Sequence, residues 1–334
     1  MKANERFSSY IKGEAVDRLP VVEWAPFWTE TLARWEKEGV DTTVRGLEDI
    51  RRIQRGFGLD ACLQTYFTWR TDKTPVAKSF GAGIMKTEAD YDELKKTLFR
   101  HPSEFYTKEF YAWLDDIANK QGDTINWFTV EGFFWMPREL FGVEDHLFSF
   151  YDCPELLHRI CEDYLKWMQT VIEFIGNTFK FDFMTFAEDM SYNNGPMISK
   201  DIFDEFLAPY YNKIIPTIKK LGVPVVIDSD GDITKAVDWY ASVGADGMLP
   251  LERKAGVDVS EYIKKQPQMF FIGHFDKTCM SKGEDAMRAE FERIMPSWQK
   301  GKVIPAVDHQ TPPDVSVETY KKYVRLLKEY STRI

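Results

Sequence analysis

The chain contains no run of about 18 consecutive apolar residues, the length a helix needs to cross a bilayer. Its opening residues, MKANERFSSYIKGE, carry no apolar stretch of signal-peptide length either. Cysteine is scarce. Cys62, Cys153, Cys161 and Cys279 are the whole complement, and no two form a CxxC pair or a disulfide ladder, which suits a reducing cytosol. Gly-rich phosphate loops of the Rossmann or P-loop kind are missing. So are Ser/Gly-rich linkers, charge blocks and low-complexity tracts. Positive charge is in short supply: 43 Lys and Arg against 53 Asp and Glu leave a net charge of −10. That balance argues against nucleic acid or an anionic membrane as the main partner. Together these absences predict a soluble cytoplasmic protein folded as one domain over residues 1–334, and they leave oligomer formation open.

What is present suffices for a large core, since 44% of the 334 residues are hydrophobic and 15% aromatic. A (β/α)8 barrel with insertions falls in this length range. The most informative stretch is residues 222–232, GVPVVIDSDGD. Its short, mostly β-branched apolar run predicts a strand buried on both faces. The run ends in Asp228, Asp230 and Asp232. One Asp would be explained as the cap of the next helix, but three in five positions exceed that need. Carboxylates at the end of a buried strand are costly unless water, donors or a metal compensate them.

The same ending recurs through the second half. FDFMTFAED (181–189) ends in Glu188-Asp189, ADGMLPLE (245–252) in Glu252, QMFFIGHFD (268–276) in His274 and Asp276, and KVIPAVDH (302–309) in Asp308-His309. Helical patterns separate these strands at 201–221, 233–243, 259–265, 284–299 and 317–330. The clearest helix is 152–179, with Asp152 as its expected cap. Strands alternating with helices predict an α/β fold with a parallel sheet. Only a closed barrel brings such strand ends to one mouth, so the expected architecture is a (β/α)8 TIM barrel with an N-terminal helical extension at residues 3–12.

The first half is less legible. Residues 21–28, VVEWAPFW, begin strand-like and turn aromatic; helices are expected at 29–37 and 47–57, residues 61–71 are dense in aromatics, and a strand is expected within 124–135. Trp24, Phe27, Trp28, Tyr66, Phe67, Trp69, Trp127, Phe133, Phe134 and Trp135 concentrate here. Most should pack the core and a minority should line a pocket, with Trp24, Phe27 and Trp28 the candidates.

Residues 13–20 (GEAVDRLP), 138–142 (RELFG), 188–199 (EDMSYNNGPMIS), 228–232 (DSDGD) and 308–316 (DHQTPPDVS) resemble the uroporphyrinogen decarboxylase superfamily, in its branch of corrinoid-linked methyltransferases. The resemblance implies the barrel fold and transfer of a methyl group to the cobalamin of a separate corrinoid protein. Two departures stand out. True decarboxylases present arginines just after the first strand, where this chain reads EWAPFW, so a polyanionic porphyrinogen is disfavoured. Thiol-methylating members carry His-x-Cys, a Glu and a late Cys as zinc ligands; the matching positions here are Asp228, Asp230, Glu252 and Asp308. A carboxylate set makes a harder centre suited to a substrate oxygen, and His274 and His309 could supply nitrogen.

The expected site is therefore a zinc centre drawn from Asp228, Asp230, Glu252, His274, Asp308 and His309. Asp230, Glu252, Glu188 and Tyr192 are catalytic candidates, and Asn193 and Asn194 could orient the donor. The leading reading is metal-assisted methyl transfer from a small methylated compound, an aryl methyl ether being one possibility, to a corrinoid protein. The alternatives are a cofactor-free decarboxylase and a barrel that binds without turnover.

Overall fold

The computed structural model describes residues 1–25 and 27–334; Pro26, within the EWAPFW stretch, lies outside the described residues. In chain order the strands are β1 (Ala61–Tyr66), β2 (Thr124–Glu131), β3 (Phe183–Ala187), β4 (Ser191–Tyr192), β5 (Gly195–Pro196), β6 (Val225–Asp228), β7 (Gly247–Leu249), β8 (Phe270–Phe275) and β9 (Lys302–Val307). Seven of them form one sheet in the order β1-β2-β3-β6-β7-β8-β9, and β4 and β5 make a separate antiparallel hairpin. All neighbours in the large sheet are parallel.

The sheet closes through residues that form no ladder. The Val21 carbonyl accepts from the Asp60 N–H at 2.8 Å, beside β1. On the other side the Val307 N–H of β9 donates to Glu23 Oε2 at 3.3 Å, and the Trp24 indole donates to the Val307 carbonyl at 3.1 Å. Val22 joins Cys62, Ile125, Trp127, Phe183, Val226, Leu249, Ile272 and Ile304 in the inner apolar cluster, one position or two from every strand of the sheet. The segment thus fills the eighth place of a TIM-barrel-like fold.

Beneath the barrel, the Ala3–Lys12 helix supplies Ala3, Phe7 and Ile11 to that inner cluster. Phe7 stacks on Phe183 at 5.1 Å and meets Phe270 edge-on at 6.2 Å. The GEAVDRLP turn that follows is held by charge: Asp17 pairs with Arg6 at 2.6 Å and Arg18 with Asp60 at 2.7 Å. The larger apolar cluster lies between sheet and helices.

Two expected helices differ in detail. The long one runs Pro154–Thr178 and starts on a proline, whose fixed φ and missing N–H suit the first turn. Asp152 does not cap it but ends the preceding Val143–Asp152 helix. The 201–221 pattern is split into Lys200–Ile202, a π-turn at Phe203–Leu207 and Ala208–Lys220. Pro209 lacks the N–H that would continue the ladder across that junction. Among the described residues no helix is long and apolar enough to cross a membrane.

Candidate functional site

The carboxyl ends of the strands enclose a cavity of about 240 Å³ whose lining includes Trp24, Gln64, Trp135, Glu188, Asp189, Asp228, Asp230 and His309. A larger hollow of about 610 Å³ lies at the amino ends of the strands, beside Lys12, Asp182 and Asp246. We favour the smaller one, because the acids gather there and barrel chemistry takes place at the carboxyl end.

The three aspartates of DSDGD have different roles. Asp232 closes a local turn, its carboxylate accepting the Thr234 N–H at 2.9 Å, and caps no helix: the next one, Ala236–Ser242, has Lys235 at its N-cap. Asp228 and Asp230 face the cavity. Gly231 between them has φ +77°, and a Cβ there would come within 2.7 Å of the Tyr192 backbone, so the loop needs glycine. The Gly231 N–H donates to Glu252 Oε2 at 3.2 Å, which ties the loop to the end of β7. Asp230 Oδ2 lies 3.5 Å from His309 Nε2, whose pKa it raises. Trp24 meets the His309 ring edge-on at 6.3 Å.

Burial raises the pKa of several carboxyls at this end. Asp228 is half-buried and lines the cavity; desolvation, then the charges of Asp230 and Asp189, lift its pKa well above the carboxylate range. Glu188 is pushed up to about 7, desolvation outweighing its donors. Those donors are the Tyr211 hydroxyl on Oε1 and the Phe134 and Trp135 N–H groups on Oε2, at 3.0 and 3.2 Å. With both oxygens engaged, Glu188 anchors the turn after β2. Glu131 and Glu23, buried near the ends of β2 and the closing segment, are each raised to about 8 by burial.

The expected zinc set is not assembled. Among the described residues no group of three or more His, Cys, Asp or Glu stands close enough to hold a metal ion. Asp308 is committed to backbone: Oδ2 accepts the Arg253 N–H at 2.9 Å and Oδ1 the Lys277 N–H at 3.2 Å. His274 lies outside the cluster. Gly273 and His274, within β8, have φ of +116° and +74°, and the imidazole is not part of the cavity lining. There Nε2 is 3.2 Å from the Arg293 guanidinium and 3.4 Å from the Val259 N–H. Burial, then Arg293, presses its pKa down to about 3. The donors present do not fit zinc.

The substrate candidates divide. Trp24 lines the cavity. Phe27 packs into the core against Trp35 at 5.1 Å and Tyr320 at 5.6 Å. Trp28 is exposed at the start of the Thr29–Lys37 helix, and Tyr192, Asn193 and Asn194 are exposed on the β4–β5 hairpin, outside the cavity lining. Gln64, Asp189, Gln310 and Lys277 lie outside the expected set, while Trp135, one of the ten aromatics of the first half, lines the cavity. Asp189 is held by Arg138, whose Nη1 donates to its carbonyl at 3.1 Å while the guanidinium lies over Trp135 at 4.1 Å. Its place beside Glu188 at a strand end could have flagged Asp189; nothing local marks Gln64 or Lys277.

The uroporphyrinogen decarboxylase family model matches residues 140–330. Among curated proteins no sequence matches the chain. Among solved structures, a methyltransferase from Methanosarcina mazei superposes with TM-score 0.65 at 15% identity, covering 99% of each chain. A putative vitamin-B12 independent methionine synthase from Listeria monocytogenes reaches TM-score 0.47 at 10% identity, over 95% of this chain and 96% of that one. The first likeness speaks to the fold, and the second carries no argument. By the family match, which spans more than half its length, the chain belongs to the uroporphyrinogen decarboxylase family.

Proposed function

We propose that this protein is a cytoplasmic methyltransferase that takes the methyl group of a small oxygen- or nitrogen-methylated compound and passes it to a separate corrinoid protein docked over the mouth. One observation carries the reading: a cavity of about 240 Å³ is walled by Trp24 and Trp135 and lined by Asp228, whose desolvation and neighbouring carboxyls favour the acid form. That volume is at the small end for ligand sites and suits a small flat donor. The lining contains no Lys or Arg among the described residues, which disfavours an anionic substrate. The M. mazei structure of the same fold is named a methyltransferase, which agrees with this reading.

A methyl–oxygen bond resists cleavage because alkoxides and phenolates leave poorly from neutral water. The corrinoid supplies the nucleophile. This chain's part is to bind the donor between the two indoles and give its oxygen a proton. As the C–O bond breaks, its electron pair stays on oxygen, and the Asp228 proton neutralises it. The resulting carboxylate regains its proton from solvent. Asp230 and His309 flank the oxygen and set the local charge. No zinc is invoked; general-acid assistance takes the place of a Lewis acid.

The test supplies donor, reduced corrinoid protein and enzyme, and follows the absorbance of the reduced corrinoid. Loss of that absorbance only with all three present is expected. Demethylation that proceeds equally without corrinoid overturns the transfer, and carbon dioxide release from a carboxylated substrate without either would install the decarboxylase instead.

A further inference from the structure

Glu252 and Asp308 follow β7 and β9, and between them the first turn after β8 projects Lys277. Its ammonium lies 3.7 Å from Glu252 Oε1 and 3.7 Å from Asp308 Oδ1, with the side chain 16% exposed. Each acid spends its remaining capacity on backbone. Glu252 Oε2 accepts the Gly231 N–H at 3.2 Å, and Asp308 accepts the Arg253 and Lys277 N–H groups. The cation therefore stands where two converging strand-end carboxylates would otherwise gather a divalent ion. Removing one partner of such a sheltered pair leaves the other charge uncompensated.

We infer that Lys277 is the resident cation of the barrel mouth, replacing a divalent metal between Glu252 and Asp308. It acts as a positioning residue. By holding Glu252 in place it fixes the Gly231 N–H, and through that loop it sets Asp230 against His309. The mouth is thus assembled without metal. The catalytic consequence rests on the methyl-transfer reading; the assembly does not.

The experiment measures zinc content and thermal stability of wild type, Lys277→Met and Lys277→Arg, each purified without chelator. Wild type should carry about a tenth of an equivalent of zinc or less, with a Tm that neither chelator nor added zinc moves. Lys277→Met should lose roughly 5 °C in metal-free buffer and regain stability on adding zinc, since a ligand that binds only the folded state raises Tm. Lys277→Arg should restore most of the loss. Wild type holding one zinc, with a Tm that falls when chelator strips it, overturns the assignment. So does a Lys277→Met protein matching wild type in Tm and zinc response. In the methyl-transfer assay Lys277→Met should lower kcat with little change in KM. Absence of transfer in every protein, with the zinc and Tm results as expected, refutes the proposed function and leaves Lys277 standing.

Discussion

Asp228 and the Asp230–His309 pair divide two tasks that a bare count of acids would merge. Asp228 is desolvated and close to two other carboxyls, which raises its pKa and favours its acid form. Replacing it with Asn keeps shape and removes the acid. Asp228→Asn is expected to lower kcat by about 10²-fold or more in the corrinoid assay while donor KM changes little. The pH dependence has a definite sign. An acid with a raised pKa is charged with its proton below that pKa and loses it as pH rises through it, so the rate should fall on the alkaline side. His309 is raised chiefly by Asp230. Asp230→Asn should therefore let His309 lose its proton at lower pH, which a ring-proton NMR titration would detect. An unchanged titration would separate the pair.

At the scale of elements, the site depends on the backbone near the strand ends. Within β8 two consecutive residues, Gly273 and His274, have positive φ, and a Cβ on Gly273 would come within 2.0 Å of the Pro250 carbonyl oxygen. Gly273→Ala is expected to cost on the order of 2–4 kcal/mol, from steric overlap plus an unfavourable φ, measurable by urea unfolding. Gly132, after β2, is a second such point: a Cβ would come within 1.8 Å of Glu188 Oε2. Gly132→Ala should displace the Glu188 carboxyl from the Phe134 and Trp135 N–H groups and lower Tm. A variant as stable as wild type would show that Glu188 can relocate freely.

The whole molecule carries its acids asymmetrically: most face solvent, while Glu23, Glu131 and Glu188 are buried, and desolvation pushes their pKa values up to about 7 to 8. Each binds its proton more tightly folded than unfolded. The stability they lend is fully present below the unfolded glutamate range and is lost as pH rises through 7 to 8. Tm should therefore decline between pH 6 and 8. Glu131→Gln, which removes one of these groups at an oxygen that lacks a partner, should flatten that decline. A Tm indifferent to pH over this window would contradict the buried-acid description. At the opposite end, Phe7→Ala should cost roughly 3–5 kcal/mol, because that ring plugs the barrel floor.

Local pattern was enough to read the alternation of the second half and the helix at 3–12. Period and strand-end composition are properties of neighbouring residues, and they survive folding unchanged. The convergence of Glu188, Asp228, Asp230 and His309 on one cavity was legible for the same reason, since parallel strands in a barrel send their carboxyl ends to one side. Other assignments were decided by tertiary structure. The closing segment at residues 21–24 forms no ladder, so its strand role exists only through its contacts with β1 and β9. His274 reads as a mouth residue by alternation, yet its imidazole meets Arg293 and is not part of the cavity lining. Phe27 and Trp24 sit three residues apart with similar composition, and only packing sends one to the core and the other to the cavity. Lys277 carries no local mark at all: a lysine one turn past a strand becomes the partner of two acids only because β7 and β9 flank β8. The sequence determined which chemistry could gather at the mouth; the tertiary structure decided which groups face one another there, because charge pairing depends on distances that separate strands set jointly.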